Sequence, residues 1–208
     1  MYGYVTSRPV EHLITGPTLE PLDLNETIKM LQSVAEIDET IVDVLISSAR
    51  QRFEEQTGRQ LLTATWEEWR DEFPTCNPIE LAHAPLQAVV SIKYIDTDGN
   101  LQTLSGSTYQ VKAPSGPHCD RGWIELAYGM VWPAIRYESG AVRIQYTAGY
   151  GDAPGSVPEL IRSALYLLVT DFFCSRCAAD GKPAPRKPIG MDDLLSSYVL
   201  RYTRTEAW

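Results

Sequence analysis

The spacing of apolar residues over residues 23–59 predicts two consecutive helices. Asp23 and Glu26 form a capping-box pattern at the start of the first helix. A second and stronger helix follows, with an apolar stripe at three- and four-residue steps that consists of Ile41, Val44, Leu45, Ala49 and Phe53. Gly58 suits the left-handed position that ends a helix. The sequence therefore predicts a helix pair joined by a tight turn.

An alternation of apolar and polar residues with a period of two predicts β-strands over residues 60–151. Ala64 and Trp66 alternate with threonines, and the apolar phase then slips at Glu67 and Glu68, as it does at a β-bulge. Further short strands are predicted over residues 90–94, 101–104, 109–112, 123–127 and 141–147. We expect an antiparallel β-rich unit of five or six short strands.

Helical spacing returns after residue 156, where Ser156, Pro158 and Glu159 form a helix start. The broad apolar face of this third helix, which we expect to dock on the second helix, consists of Leu160, Ile161, Ala164, Leu165, Leu168 and Phe172. The order of elements predicts an α+β fold. It is a small helical bundle, with two N-terminal helices plus one after the sheet, an inserted antiparallel β-rich unit, and extended terminal arms.

The two ends of the chain differ in composition from its body. The first 22 residues contain three prolines and little periodicity, so we expect an extended arm that orders on a neighbouring molecule, if at all. Residues 181–188 form a proline-rich basic linker. The predicted parts are an N-terminal arm (1–22), a helix pair (23–59), the β-rich unit (60–151), the helix that completes the bundle (152–179) and a C-terminal tail (180–208).

Composition and charge limit the class of protein. Of the 208 residues 44% are apolar and 22% charged, which is typical of a globular protein. Eighteen basic and 27 acidic residues give a net charge of −9, which argues against a protein that wraps nucleic acid with a basic face. Residues 1–180 carry 13 basic and 24 acidic side chains, net −11, whereas residues 181–208 carry 5 and 3, net +2. No secretory signal and no apolar run of about 20 residues is found, so we expect a soluble protein made in a cytoplasm.

Two motifs have the spacing of metal sites. Cys174 and Cys177 are spaced like half a zinc site or a redox pair, but no second pair exists and the three histidines are scattered. Asp96–Asn100 resembles the start of a calcium loop, yet the twelfth position is Ser107 where that loop needs a glutamate. A hairpin turn explains the second motif and a buried helix end the first, so we predict no metal.

Three further groups of residues are candidates for catalytic or phosphate-binding sites. Cys119 lies between His118 and Asp120, but adjacent residues on a loop rarely point at each other. Residues 149–151 precede a helix as a phosphate loop does, but they lack its lysine. The acidic cluster Glu67, Glu68, Asp71 and Glu72 is interpreted as a solvated strand face. We therefore predict no enzyme, no catalytic residues and no cofactor, and a protein that works by its shape and contacts.

Several sequence blocks, in order, resemble one family. They are Thr57-Gly58-Arg59, Trp66, Ala84-Pro85-Leu86, Val90–Asp96 with Gly99, Tyr109, Trp132-Pro133, Val142–Gly151 and Val157-Pro158. Their order and spacing over about residues 20–177 are similar to those of the head–tail connector (adaptor, head-completion) proteins of long-tailed bacteriophages and gene transfer agents. The arm and the tail fall outside this resemblance, and none of the blocks is a catalytic signature.

The resemblance implies a structural virion protein of the neck, at the head–tail interface, assembled in the host cytoplasm. Such proteins form a ring of identical subunits, usually a dodecamer, which binds beneath the portal protein, extends the DNA channel and receives the next neck or tail protein. DNA would pass without sequence-specific binding, and no membrane is involved. An acidic lumen would repel the DNA backbone, although the acidity could serve solubility alone. Which acidic residues line the channel is not indicated, and stopper and tail-terminator roles stay open.

The C-terminal tail is our candidate for contact with the portal. It is net basic and contains aromatic and arginine residues, which most often dominate interfaces; the candidates are Tyr198, Arg201, Tyr202, Arg204 and Trp208. A tail without a partner is the alternative.

A binding module for carbohydrate or another host surface is the alternative function. The β-rich unit holds four tryptophans, and such a module needs exposed aromatic side chains beside polar groups. Trp66, Trp69, Tyr94 and Tyr146, however, occupy alternating strand positions that suit a core.

Overall fold

The structure, a computed structural model, describes residues 9–31, 39–75, 78–179 and 196–200. The helices are α1 (Leu24–Leu31), α2 (Glu39–Thr57) and α3 (Glu159–Ala179), with a 3₁₀ turn at Pro154–Ser156. The strands are β1 (Val10–Thr15), β2 (Ala64–Arg70), β3 (Ile79–Glu80), β4 (Leu86–Ile95), β5 (Leu101–Thr103), β6 (Tyr109–Lys112), β7 (Trp123–Leu126) and β8 (Val142–Ala148). The fold is α+β, as predicted.

The described residues form two compact units, each assembled from two stretches of chain. The β-unit comprises the described residues within Met1–Gly16 and Thr63–Gly149. The helical unit comprises those within Pro17–Leu62 and Tyr150–Trp208. Each unit has a core of its own, since the buried apolar residues fall into two separate clusters.

The β-unit contains two antiparallel sheets. The larger has the strand order β1-β2-β8-β4-β5, and the smaller has the order β3-β7-β6. Strand β8 lies at the centre of the larger sheet and alternates as predicted, because Val142, Ile144 and Tyr146 are buried while the residues between them are half-buried. These side chains pack with Ile92 of β4 and Ile124 of β7 to form the core of the unit.

The β-bulge predicted at Glu67 and Glu68 is wrong. Strand β2 pairs with β8 without interruption, from Ala64 opposite Ala148 to Arg70 opposite Val142. Glu68 lies on the same face as Ala64 and is fully buried. The apparent slip of the apolar phase is therefore a carboxylate at a core position.

Part of the predicted N-terminal arm is a strand of the chain's own sheet. Residues Val10–Thr15 form β1, which pairs with β2 and shifts register between Leu13 and Thr15. All six residues are exposed, so the segment has none of the buried alternation by which a strand is recognised in a sequence. Whether the rest of the arm orders on a neighbouring molecule stays a prediction.

The helical unit is organised by α2 and α3, which pack against each other as predicted. The predicted stripe of α2 is wrong in part. Ala49 and Phe53 are buried, but the other buried apolar residues are Val42 and Ile46, and Val44 is 62% exposed. Apolar residues lie on two adjoining faces of this helix, so their spacing predicts the helix but not which face is buried.

The start of α1 and the face of α3 agree with the sequence. Asp23 Oδ1 accepts a hydrogen bond from the Glu26 amide at 2.9 Å. Most of the predicted face of α3 is buried, although Leu160 is exposed and Phe172 is half-buried. None of the helices in the described part of the chain combines the length and the apolar character needed to cross a bilayer.

Candidate assembly surfaces

The residues that end α2 hold a C-terminal segment, residues 196–200, against the helical unit. The amide of Leu200 donates to the carbonyl of Thr57 at 2.9 Å, and Arg59 Nε donates to the carbonyl of Tyr198 at 2.7 Å. Gly58 lies between Thr57 and Arg59 and has φ +71°, a left-handed conformation that ends the helix and turns the chain. The first block of the family resemblance, residues 57–59, is thus the attachment point of this segment.

The side chain of Tyr198 belongs to the core of the helical unit. It is 2% exposed, its ring centre lies 6.2 Å from that of Phe53, and the Arg59 guanidinium carbon lies 5.8 Å from its ring centre. Burial raises the pKa of the Tyr198 hydroxyl, and the positive charge of Arg59 opposes that rise. Of the predicted portal contacts, Tyr198 is therefore packed inside its own subunit. Arg201, Tyr202, Arg204 and Trp208 lie outside the described residues, as does the predicted linker 181–188.

A second polar group stabilises the same end of α2. Glu54 Oε1 accepts from the amide of Leu61 at 3.0 Å and from Gln60 Nε2 at 2.8 Å. Glu54 Oε2 accepts from Arg50 Nη1 at 2.9 Å, and Arg50 Nε also donates to Glu20 at 2.8 Å. Burial raises the pKa of Glu54 in spite of these partners. These contacts fix the chain where it leaves α2.

The connection between β7 and β8 displays exposed apolar side chains. Tyr128 and Tyr137 are almost fully exposed, and Val131 is 78% exposed. Trp132 holds this connection in place by stacking on Phe73, with ring centres 4.7 Å apart and planes within 3°. Exposed aromatic residues on a fixed loop are typical of an interaction surface.

The two outermost strands of the larger sheet are exposed at every residue. On β1, Val10, Leu13 and Ile14 are each more than half exposed. On β5, at the opposite edge, Leu101 is 52% exposed. Edge strands with apolar side chains and no covering element can pair with another chain.

The inner face of β2 carries a buried charge. Glu68 Oε1 accepts from Arg70 Nε at 2.6 Å. Burial raises the pKa of Glu68, Arg70 opposes that rise, and Glu11 of β1 adds to it. The prediction of a solvated strand face is therefore wrong for Glu68.

Polar and aromatic groups surround this buried charge. His83 Nε2 lies 3.2 Å from the Glu11 carboxylate, and the imidazole stacks on Trp66 with ring centres 3.8 Å apart. Burial raises the pKa of Tyr146, and the charges of Glu68 and Glu11 raise it further. These contacts join β1 to the interior of the sheet at one point.

The structure also describes several of the residues considered above as chemical sites. Asp96 Oδ1 accepts from the amides of Asp98 at 3.0 Å and Asn100 at 2.8 Å, which makes the predicted hairpin turn between β4 and β5. Cys119 is buried in its loop between exposed neighbours. Cys174 is half-buried on α3, and the side chain of Cys177 lies outside the described residues. Within the described ranges no three His, Cys, Asp or Glu side chains are placed to hold a metal ion.

The four tryptophans of the β-unit are not exposed platforms. Trp66, Trp69, Trp123 and Trp132 are all half-buried. The ring of Trp69 packs against His12, with 4.7 Å between the ring centres. The Arg143 guanidinium carbon lies 4.5 Å from the centre of the same Trp69 ring. Among the described Trp, Tyr and Phe side chains of this unit, the most exposed are Tyr128 and Tyr137 of the β7–β8 connection.

Solved structures that contain a chain with this fold include three of gene transfer agent particles. One is the virion of a native gene transfer agent particle, with a TM-score of 0.74 and 18% identity over 92% of this chain and 96% of that chain. The others are the neck of an empty gene transfer agent particle computed with C6 symmetry and the neck of the native particle computed with C12 symmetry. Each has a TM-score of 0.73 and 17% identity over the same shares of the two chains. No protein-family model and no curated protein matches the sequence. At this level of identity the likeness shows a common fold.

Proposed function

We propose that this chain is a structural virion protein, the subunit of a head–tail connector ring that lies between the portal and the tail or neck and extends the DNA channel. The observation that carries the proposal is the similarity to chains of gene transfer agent particles over 92% of this chain and 96% of the matched chain. Two of the structures named above are necks of such particles. The sequence blocks and the fold point to the same family although they are separate observations.

The proposed partners are further copies of this chain, the portal protein and a downstream neck or tail protein. The C12 and C6 symmetries with which the similar necks were computed support a ring, and we take it to be a dodecamer. Exposed apolar side chains at the edges of the larger sheet and on the β7–β8 connection offer surfaces for these contacts. The protein would be located in the neck of the virion after assembly in the host cytoplasm.

The charge of the chain suits a channel through which DNA moves. A net charge of −9 on each subunit would give a dodecamer a strongly negative field, which repels phosphate and prevents sticking. DNA would pass without sequence-specific contact. A catalytic role and a cofactor are not part of the proposal.

We place the portal contact in the part of the tail that follows the C-terminal segment. Tyr198 is part of the subunit core, so the candidates reduce to Arg201, Tyr202, Arg204 and Trp208. These residues follow directly on Leu200, whose amide is bonded to the end of α2. The attachment would fix the point from which the basic tail extends towards its partner.

The first experiment is a mass measurement by light scattering after size exclusion, with the protein alone and with its cognate portal. A dodecamer of 23.3 kDa subunits has a mass of about 280 kDa. A mass of about 280 kDa for the protein without the portal supports a connector, and so does a stoichiometric complex with the portal. A 23.3 kDa monomer that does not bind the portal contradicts the connector function. Glycan binding by that monomer through Tyr128 or Tyr137 would then favour the host-surface module.

A further inference from the structure

The larger sheet ends in two edges that differ in length and sequence. One edge is β1, with six exposed residues, and the other is β5, with three. Every second residue of an edge strand directs its backbone N–H and C=O groups away from its own sheet, where another strand can accept them. Both edges belong to the β-unit, so one sheet presents them at its two sides.

Each edge exposes apolar side chains among polar ones, since β1 also exposes Glu11, His12 and Thr15, and β5 also exposes Gln102 and Thr103. Leu13 and Ile14 of β1 and Leu101 of β5 are each 52% exposed. Soluble proteins protect sheet edges with lysine, proline or a covering element. Strand β1 has a register shift between Leu13 and Thr15, but all six of its residues remain exposed.

We propose that β1 of one copy pairs with β5 of the next copy, so that the larger sheet continues from subunit to subunit. The inference rests on the proposed function, because the occupant of each edge is a second copy of this chain in the ring. Two unlike edges make a head-to-tail contact, and a head-to-tail contact repeated by rotation closes a ring. Pairing of β1 with itself would instead give a two-fold dimer, which does not propagate around a ring of six or twelve.

The attachment of β1 to its own sheet suits this role. Its side-chain contacts include the tilted packing of His12 on Trp69, with ring centres 4.7 Å apart, and the proximity of Glu11 to His83. The backbone of β1 pairs with β2 on one side, and on its other side no strand of the described residues pairs with it. These contacts hold the strand in place and leave its apolar side chains exposed.

Lysine substitutions on the two edges test the proposal. We expect L13K/I14K and L101K each to reduce the assembled form, of about 280 kDa, to the 23.3 kDa subunit. All three positions are exposed, so the thermal unfolding midpoint of each variant should match that of the wild type. V111K on β6, an edge of the smaller sheet, and V44K on α2 are the matched controls and should keep the assembled mass.

Crosslinking between mixed subunits tests the pairing directly. L13C chains and T103C chains are mixed before assembly, on the portal if assembly needs it, and treated with a short bifunctional maleimide. A crosslinked dimer that appears in the mixture and in neither population alone supports pairing of β1 with β5. Equal crosslinking of L13C chains alone overturns it, because it shows β1 paired with β1; each variant alone also controls for the native cysteines.

The outcomes separate this inference from the proposed function. If the wild type assembles and both edge variants still assemble, the pairing is overturned and the connector function stands. If V111K abolishes assembly and L101K does not, the partner edge is β6 and the pairing with β5 is overturned. If the wild type stays monomeric with and without the portal, both proposals are overturned.

Discussion

Arg59 Nε donates a hydrogen bond to the main-chain carbonyl of Tyr198 at 2.7 Å, across a sequence separation of 139 residues. Both residues are almost completely buried. The bond joins the end of α2 to the C-terminal segment, and the ring of Tyr198 completes the core that α2 and α3 form. Arg59 therefore acts together with the Leu200–Thr57 hydrogen bond and the buried Tyr198 ring to hold the segment from which the tail begins.

Replacement of Arg59 by lysine should lower the free energy of unfolding by about 1–3 kcal/mol, because a buried carbonyl loses a charged donor of fixed geometry. Urea unfolding measures the loss. Limited proteolysis should also cut the C-terminal segment faster in R59K. The control is R52K, on an exposed position of α2, which should change stability by less than about 0.5 kcal/mol. An R59K protein as stable as R52K would contradict the role of this bond.

Two truncations separate the stability of the subunit from its docking. A chain ending at Leu200 keeps Tyr198 and should unfold like the wild type, whereas a chain ending at Ala179 should lose about 2–5 kcal/mol because it removes an aromatic side chain from the core. Thermal unfolding distinguishes them. The chain ending at Leu200 should nevertheless fail to join the portal in a pull-down. Normal incorporation of that chain would place the portal contact elsewhere.

Glu68 should make stability depend on pH. Burial raises its pKa in the folded state above the ordinary value, so the folded protein holds this proton more tightly than the unfolded chain. The contribution is therefore most favourable below the unfolded pKa of about 4.5 and is lost as the pH rises through the folded pKa. E68Q should be more stable than the wild type at pH 8, and the difference should shrink towards pH 4.

Urea unfolding between pH 4 and pH 8 measures this dependence, with E72Q, from the exposed end of the same acidic cluster, as the control. E72Q should follow the wild-type profile. Parallel profiles for E68Q and the wild type would show that the Arg70 ion pair compensates the burial of Glu68 completely.

Gly122 is required for its small size. A Cβ atom at this position would lie 2.3 Å from Leu86 Cδ2 and 2.4 Å from Leu86 Cβ, and Leu86 is a core residue. G122A should therefore lower the free energy of unfolding by about 1–3 kcal/mol through overpacking. At Gly106 a Cβ atom would meet nothing within 4 Å, so G106A is the control. Equal thermal midpoints for the two variants would show that Leu86 moves aside at little cost.

The sequence predicted the class of fold because periodicity reports which residues of an element share a face. Strand β8 and helix α3 carry one dominant apolar face each, and their buried residues were largely predicted. Helix α2 has apolar residues on two adjoining faces, and the choice of Val42 in place of Val44 is made by the elements that pack against it. A pattern in one element contains no information on that choice.

The missed features have partners that are distant in sequence or belong to the main chain. Glu68 looked like part of a solvated cluster because its burial depends on the pairing of β2 with β1 and β8, whose residues are distant in sequence. Arg59 stood in a recognised block, yet its acceptor is a carbonyl group, which every residue has. The strand β1 was missed because none of its six residues is buried. A charged residue directly after a helix-ending glycine was the signal that could have indicated the contact with Tyr198.

The burial of Tyr198 has a consequence for the order of events during synthesis. The core of the helical unit includes Leu22, near the first helix, and Tyr198, which is translated 176 residues later. The β-unit, by contrast, has its last strand complete at Ala148. The ribosome therefore releases all strands of the sheet while the helical core still lacks α3 and its closing aromatic ring. The subunit reaches its final packing, and with it the fixed origin of its tail, only after Tyr198 has left the ribosome.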